Sequence, residues 1–189
     1  TRYQNAFKKN HPKYDQWKKD LEDGKAKVNA SVAFPYDVLR MARSGVDSEV
    51  VQATWDSLPN YIPDGIKILP IVDVSGSMEC KASGSLSCMD ISISLGAYVA
   101  SKNTGEFKGS MITFETSPSF YIMGTESSIC TEFDNIADLK WGGSTDFQAV
   151  FDLILGRAIA VEVPQSDMPD YVLCCSDMQF NIAGRNNMT

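Results

Sequence analysis

Apolar and polar positions follow a helical period through the first 60 residues and then change character. "PYDVLRMARSG" (35–45) opens on Pro35 and closes on Gly45, the order expected of a helix start and stop. "DSEVVQATWDSLPN" (47–60) follows, with Asp47 or Ser48 as N-cap and Pro59 past its end. Its Val51, Thr54, Trp55 and Leu58 fall on one helical face. Tyr3 to Lys27 is charged and weakly periodic, and it reads as a helix that docks on something outside this chain. "NYIPDG" (60–65) is a turn-rich linker.

From Ile66 the pattern becomes short apolar runs. "IKILPIVDV" (66–74) fits a strand buried on both faces. Pro70 lies inside it, which predicts a bulge or a missing ladder bond there. "SCMDISISLGAYVASKN" (87–103) is a helix with Ser87 and Asp90 spaced as a capping box, apolar on nearly all sides and therefore buried. "GSMITFETSPSFYIMG" (109–124) reads as a hairpin with its turn at 116–119, and "TEFDNIADLK" (131–140) as a short helix. "WGGSTDF" (141–147) is a glycine loop, with Trp141 expected in core or rim packing. "FQAVFDLILGRAIA" (147–160) is a helix with Phe147, Val150, Phe151 and Ile154 inward, and "DYVLCCSD" (170–177) is a buried strand. Helices alternating with buried strands imply an α/β sheet covered on both faces. The chain divides into a helical segment, 1–60, and an α/β domain, 61–189.

Ligands in such sheets bind outside the carboxyl ends of the strands. Three loops lie at element ends of that kind, and all are rich in oxygen donors. The first holds Asp73, Ser75 and Ser77, the second Ser144, Thr145 and Asp146, the third Ser176 and Asp177. Hard cations such as Mg²⁺ take oxygen ligands, keep several waters and use only one or two carboxylates. The alternate spacing of Asp73, Ser75 and Ser77 lets one extended loop present three donors to one side. Gly76 leaves the backbone room to curl. The competing reading of this loop is a turn, with Asp73 in an Asx-type bond and the serines as caps. Thr145 with Gln148 likewise has the spacing of a capping box.

Asp73-Val74-Ser75-Gly76-Ser77 resembles the D-x-S-x-S motif of von Willebrand factor type A domains. Gly143-Ser144-Thr145 is similar to their second loop, and Ser176-Asp177 to their third. The resemblance covers about residues 66–177 and is nearest to an intracellular branch with viral and phage members, distantly related to the Ro autoantigen. It implies a doubly wound, mostly parallel sheet with an antiparallel edge hairpin, preceded here by a short helical segment. It also implies a metal-ion-dependent adhesion site: Asp73, Ser75, Ser77, Thr145 and Asp177 hold Mg²⁺ (or Mn²⁺ or Ca²⁺), while Ser144, Asp146 and Ser176 stand behind them. An acidic side chain of a protein partner would complete the shell. Two departures stand out. Met178 occupies a position that is often glycine in the family, and the chain stops at "NIAGRNNMT", before the strands a full type A domain carries. The sheet is therefore expected to be truncated on its C-terminal side, with an apolar edge uncovered.

Charge is uneven. The net charge of −7 splits into a basic stretch over 1–27, with eight Lys/Arg against four Asp/Glu, and an acidic remainder, with nine against twenty. This balance argues against wide nucleic-acid contact in the acidic part. A Ro-like alternative places RNA, or an acidic partner, on Lys8, Lys9, Lys18 and Lys19 of the basic stretch. A third alternative is a structural subunit of a viral or phage particle. The five cysteines are odd in number and without a C-x-x-C pair, so they read as reduced thiols in a cytosol-like compartment. His11 is the only histidine, which argues against zinc and against a Ser-His-Asp triad. No G-x-S-x-G elbow or P-loop occurs. The expectation is a binding protein, not an enzyme, acting inside a cell or in a viral particle and neither secreted nor membrane-bound.

Overall fold

The computed structural model describes residues 13–114, 117–139 and 147–177. Helices α1 (Tyr14–Glu22), α2 (Pro35–Arg43) and α3 (Ser48–Asp56) precede the first strand, β1 (Ile68–Asp73). A small hairpin, β2 (Lys81–Ser83) and β3 (Leu86–Ser87), leads into α4 (Cys88–Lys102). Then come β4 (Ser110–Phe114), β5 (Ser119–Ile122), α5 (Ile129–Ala137), α6 (Phe147–Ala160) and β6 (Tyr171–Cys175). The main sheet has the order β5-β4-β1-β6; β4 and β6 flank β1 in parallel, and β5 closes the β4 side as an antiparallel edge. The fold is α/β with a mostly parallel sheet.

Local chemistry accounts for the element ends. Pro35 sits in the first turn of α2, and the Asp37 carboxylate accepts from the Phe34 amide at 3.0 Å. Gly45, just past α2, takes φ 70°, a left-handed conformation that glycine adopts without strain. The capping box of α4 forms as its spacing predicts. The Asp90 amide donates to Ser87 Oγ at 3.1 Å, and the Ser87 amide donates to the Asp90 carboxylate at 2.9 Å. Asp90 also pairs with Arg43 of α2 across the interface, a contact the local sequence does not announce.

Alternation along β1 sends its side chains to two cores. Val72 joins a large cluster with Val38, Leu39, Val51, Trp55, Ile93 and Ala97 from α2, α3 and α4. Leu69 and Ile71 join a smaller one with Ile112, Phe114, Val150 and Ile154 under α6. Residues on both sides of position 60 thus share one core.

Four expectations need correction, the first of them only in part. Pro70 causes no bulge: β1 and β6 stay in register straight through it, Pro70 opposite Leu173. The β1–β4 ladder does begin only at Ile71, one residue past the missing N–H, although β4 itself starts at Ser110. The helix at 14–22 makes contacts within this chain: Tyr14 Oη donates to Asp47 at 3.0 Å and Lys18 pairs with Asp47 at 3.2 Å. Phe151 is not inward but 52% exposed, because the turn of α6 gives the sheet face to Val150 and Ile154. Finally, β6 is not buried. It has a partner on one side only among the described residues, and Tyr171, Val172 and Leu173 are exposed.

Candidate metal centre

The crevice of interest lies where β1 and β6 end side by side. The chain leaves β1 toward β4 on one flank and later returns as β6 on the other, the strand-order reversal at which open α/β sheets bind ligands. Val72 stands opposite Cys175, so the next residue of each strand, Asp73 and Ser176, meet at the rim. Ser92 of α4 donates from Oγ to the Cys175 carbonyl at 2.8 Å and fixes the end of β6 against the helix.

Asp73 is 1% exposed, and two hydrogen bonds orient its carboxylate. Ser176 Oγ donates to Oδ2 at 2.5 Å, and the Ser75 amide donates to Oδ1 at 2.9 Å. The second contact is the Asx-type bond of the turn reading, so the turn is real. It does not exhaust the carboxylate, because each oxygen has a second lone pair. Ser75 Oγ and Ser77 Oγ lie 3.0 Å apart, both half-buried. Adjacent ligands of an octahedron with arms of about 2.1 Å are separated by roughly 3.0 Å. The two hydroxyls share a hydrogen bond at this distance, which is also the spacing of neighbouring ligands of a small hard cation. Gly76 and Ser77 begin a short 3-10 turn, 76–79, that curls the loop; the Met78 amide donates to the Ser75 carbonyl at 3.0 Å.

The structure thus gathers Asp73, Ser75, Ser77 and Ser176. Asp177 follows half-buried. Its charge reaches Cys88, whose thiol is pushed up chiefly by a hydrogen bond with Cys80 and by burial, with Asp177 adding to the rise. Ser144, Thr145 and Asp146 of the second loop lie outside the described residues, as do Lys8, Lys9 and Trp141. Lys18 is engaged with Asp47, and Lys19 is exposed on α1. Among the described residues no group of three or more His, Cys, Asp and Glu side chains gathers. The hydroxyl-rich set suits magnesium chemistry and not zinc.

Two features of the rim escaped sequence reasoning. Ser92 lies in the middle of a helix, where only the sheet packed beside it reveals a role. The hairpin at 81–87 is too short and too polar to register as strand, yet it brings Cys80 Sγ to 3.2 Å from Cys88 Sγ. Burial pushes Cys174 up to about 12 and Cys175 up to about 11, which keeps both as thiols beside the crevice. No helix among the described residues is long and apolar enough to cross a membrane.

The chain is similar to "Uncharacterized protein L728" of Acanthamoeba polyphaga mimivirus, with 33% identity over 175 residues. That alignment takes in 90% of this chain and 29% of the viral protein, so the chain spans under a third of the relative's length. Residues 67–189 match the family described as "Domain of unknown function (DUF7788)". The match opens at the residue before β1, carries all three oxygen-rich loops and takes in well over half of the sequence; the chain belongs to the DUF7788 family.

Proposed function

We propose that the chain is a von Willebrand A-like module that binds a divalent cation, Mg²⁺ first and Mn²⁺ or Ca²⁺ in its stead, and docks a protein partner through it. Asp73, Ser75 and Ser77 hold the cation from the first loop, with Thr145 and Asp177 contributing from the other two. Ser176 orients Asp73, and Ser144 and Asp146 stand behind Thr145. The observation that carries this reading is the gathering of Asp73, Ser75, Ser77 and Ser176 at the strand-order reversal, with the two serine hydroxyls 3.0 Å apart. A cation so held keeps most of its charge, which attracts an acidic side chain of a partner. Binding, not catalysis, is the task, inside a cell or in a viral particle.

Calorimetric titration of Mg²⁺ into the wild-type chain, Asp73→Ala and Asp73→Asn tests it. The asparagine variant keeps Oδ1 as acceptor for the Ser75 amide and lets its Nδ2 donate to Ser176 Oγ, which turns from donor to acceptor, while removing the charge, so it separates loss of the site from loss of the fold. Binding to the wild type that disappears in both variants, together with partner capture abolished by a chelator, is the expected outcome. Equal Mg²⁺ binding by all three proteins sinks the proposal. A second reading, a subunit of a larger assembly, is supported by the exposed apolar residues of β6 and α6. Sedimentation of a monomer at all concentrations counts against it. The RNA reading has less support, since Lys18 is drawn to Asp47.

A further inference from the structure

Immediately downstream of the oxygen-rich loop the fold sets two thiols face to face. Cys80 ends the 3-10 turn that carries Ser77, and Cys88 opens α4. Between them runs the β2–β3 hairpin, in which Lys81 is paired with Ser87. Cys80 and Cys88 are the next positions of the same register, and the Cys88 amide donates to the Cys80 carbonyl at 2.9 Å. Residues directly opposite in an antiparallel pair have Cα atoms about 4.5–5.5 Å apart, inside the usual range for a disulfide. The sulfurs are in contact at 3.2 Å, Cys80 is exposed and Cys88 half-buried. The remaining thiols sit on other elements: Cys130 on α5, Cys174 and Cys175 on β6.

We propose that Cys80 and Cys88 form a reversible disulfide, a redox modification site that pins the outgoing end of the Ser75–Ser77 loop to the start of α4. The oxidant is a small-molecule disulfide. The exposed Cys80 thiolate attacks one of its sulfurs and expels one half as a thiol, leaving a mixed disulfide on Cys80. Cys88 then attacks the Cys80 sulfur and expels the second half. Two protein thiols and one small disulfide become one protein disulfide and two small thiols, with both protons ending on the latter. The hydrogen bond with Cys80 that chiefly raises the Cys88 thiol is gone once Cys80 is capped, which favours the second step. The inference does not depend on the cation reading, because it rests on hairpin register and sulfur contact.

The test is to equilibrate the whole chain with oxidised and reduced glutathione, trap free thiols with N-ethylmaleimide and map tryptic peptides. Cleavage after Lys81 separates the two cysteines, so their bond appears as two cross-linked peptides. The expected result is a Cys80–Cys88 link released by dithiothreitol, absent from Cys80→Ser and Cys88→Ser, and favoured at least tenfold over the same pair in guanidinium. Slower hydrogen exchange at the Met78 and Cys80 amides of the oxidised form is also expected. A product in which Cys80 carries glutathione while Cys88 is alkylated overturns the proposal. So does a linkage equally favoured in the denatured chain. Unchanged exchange at those two amides removes the pinning of the loop.

Discussion

The two faces of the sheet are built to different depths. On one face α4 lies against β1 and β4, α2 and α5 lie over α4, and α3 packs on α2 and α5; ten of the fifteen residues of α4 are buried. Trp55 sits at the centre of that layer, with Tyr98 and Phe133 presenting edges to it at 6.2 and 5.5 Å between ring centroids. On the other face α6 is the one helix over the sheet among the described residues. Val150, Ile154 and Ala158 turn inward, and Phe151, Leu155 and Ile159 form an apolar stripe toward solvent at a spacing of four. The difference teaches where rigidity resides. The oxygen-rich rim is anchored to the thick face, through Ser92 and the α4 cap, while the thin face leaves an apolar surface open beside the β6 edge.

The largest break in this contrast comes from removing the centre of the thick layer. Trp55→Ala is expected to cost about 4 kcal/mol, and Phe151→Ala under about 1, as read by urea unfolding. Next comes overpacking at the point where α4 touches β1. A Cβ on Gly96 would lie 2.2 Å from Val72 Cγ2, and β-branched Val72 has little rotamer freedom to yield. Gly96→Val should cost about 3 kcal/mol, with Val72→Ala in the same chain recovering part of it.

A smaller effect sharpens the comparison through pH. Burial, and then the hydrogen bond to buried Glu132, raise Tyr121 from 10.0 to about 12. A folded-state value above the unfolded one stabilises fully below pH 10 and is lost as pH rises through 12. Thermal melts should therefore decline between pH 10 and 12, and Tyr121→Phe should flatten that part of the decline. The smallest change is expected on the thin face. Leu155→Lys with Ile159→Lys should shift stability by no more than about 0.5 kcal/mol, measured by the same urea unfolding. A large loss there would mean that the stripe is a working part of the monomer's core.

Much of the fold was legible because local rules and tertiary packing agree. Pro35, Gly45, the Ser87–Asp90 box and the apolar period of α3 each mark an element that forms as written. The first loop was legible in part: alternate donors follow an apolar strand and Gly76 permits a curl, which the 3-10 turn at 76–79 supplies. What was not legible depends on neighbours distant in sequence. Phe151 and Val172 are as apolar as Val150 and Val72, and no local feature says which of them finds a covering layer. Pro70 looks like a break in a strand, yet β1 and β6 stay in register through it, and pairing with β4 begins one residue later.

By itself the sequence determined most of the elements, their order and the hydroxyl-rich composition of the first loop, since propensity, capping and residue spacing act within a few residues. Only the tertiary structure decided that Asp73 meets Ser176, that Ser92 holds the end of β6, that Cys80 faces Cys88 and that one sheet face is thick and the other thin. The physical reason is that register and layer contact join residues more than a hundred positions apart, as in the Ser176–Asp73 bond, which spans 103. Such pairings are set by the packing of whole elements, and no short stretch of chain encodes them.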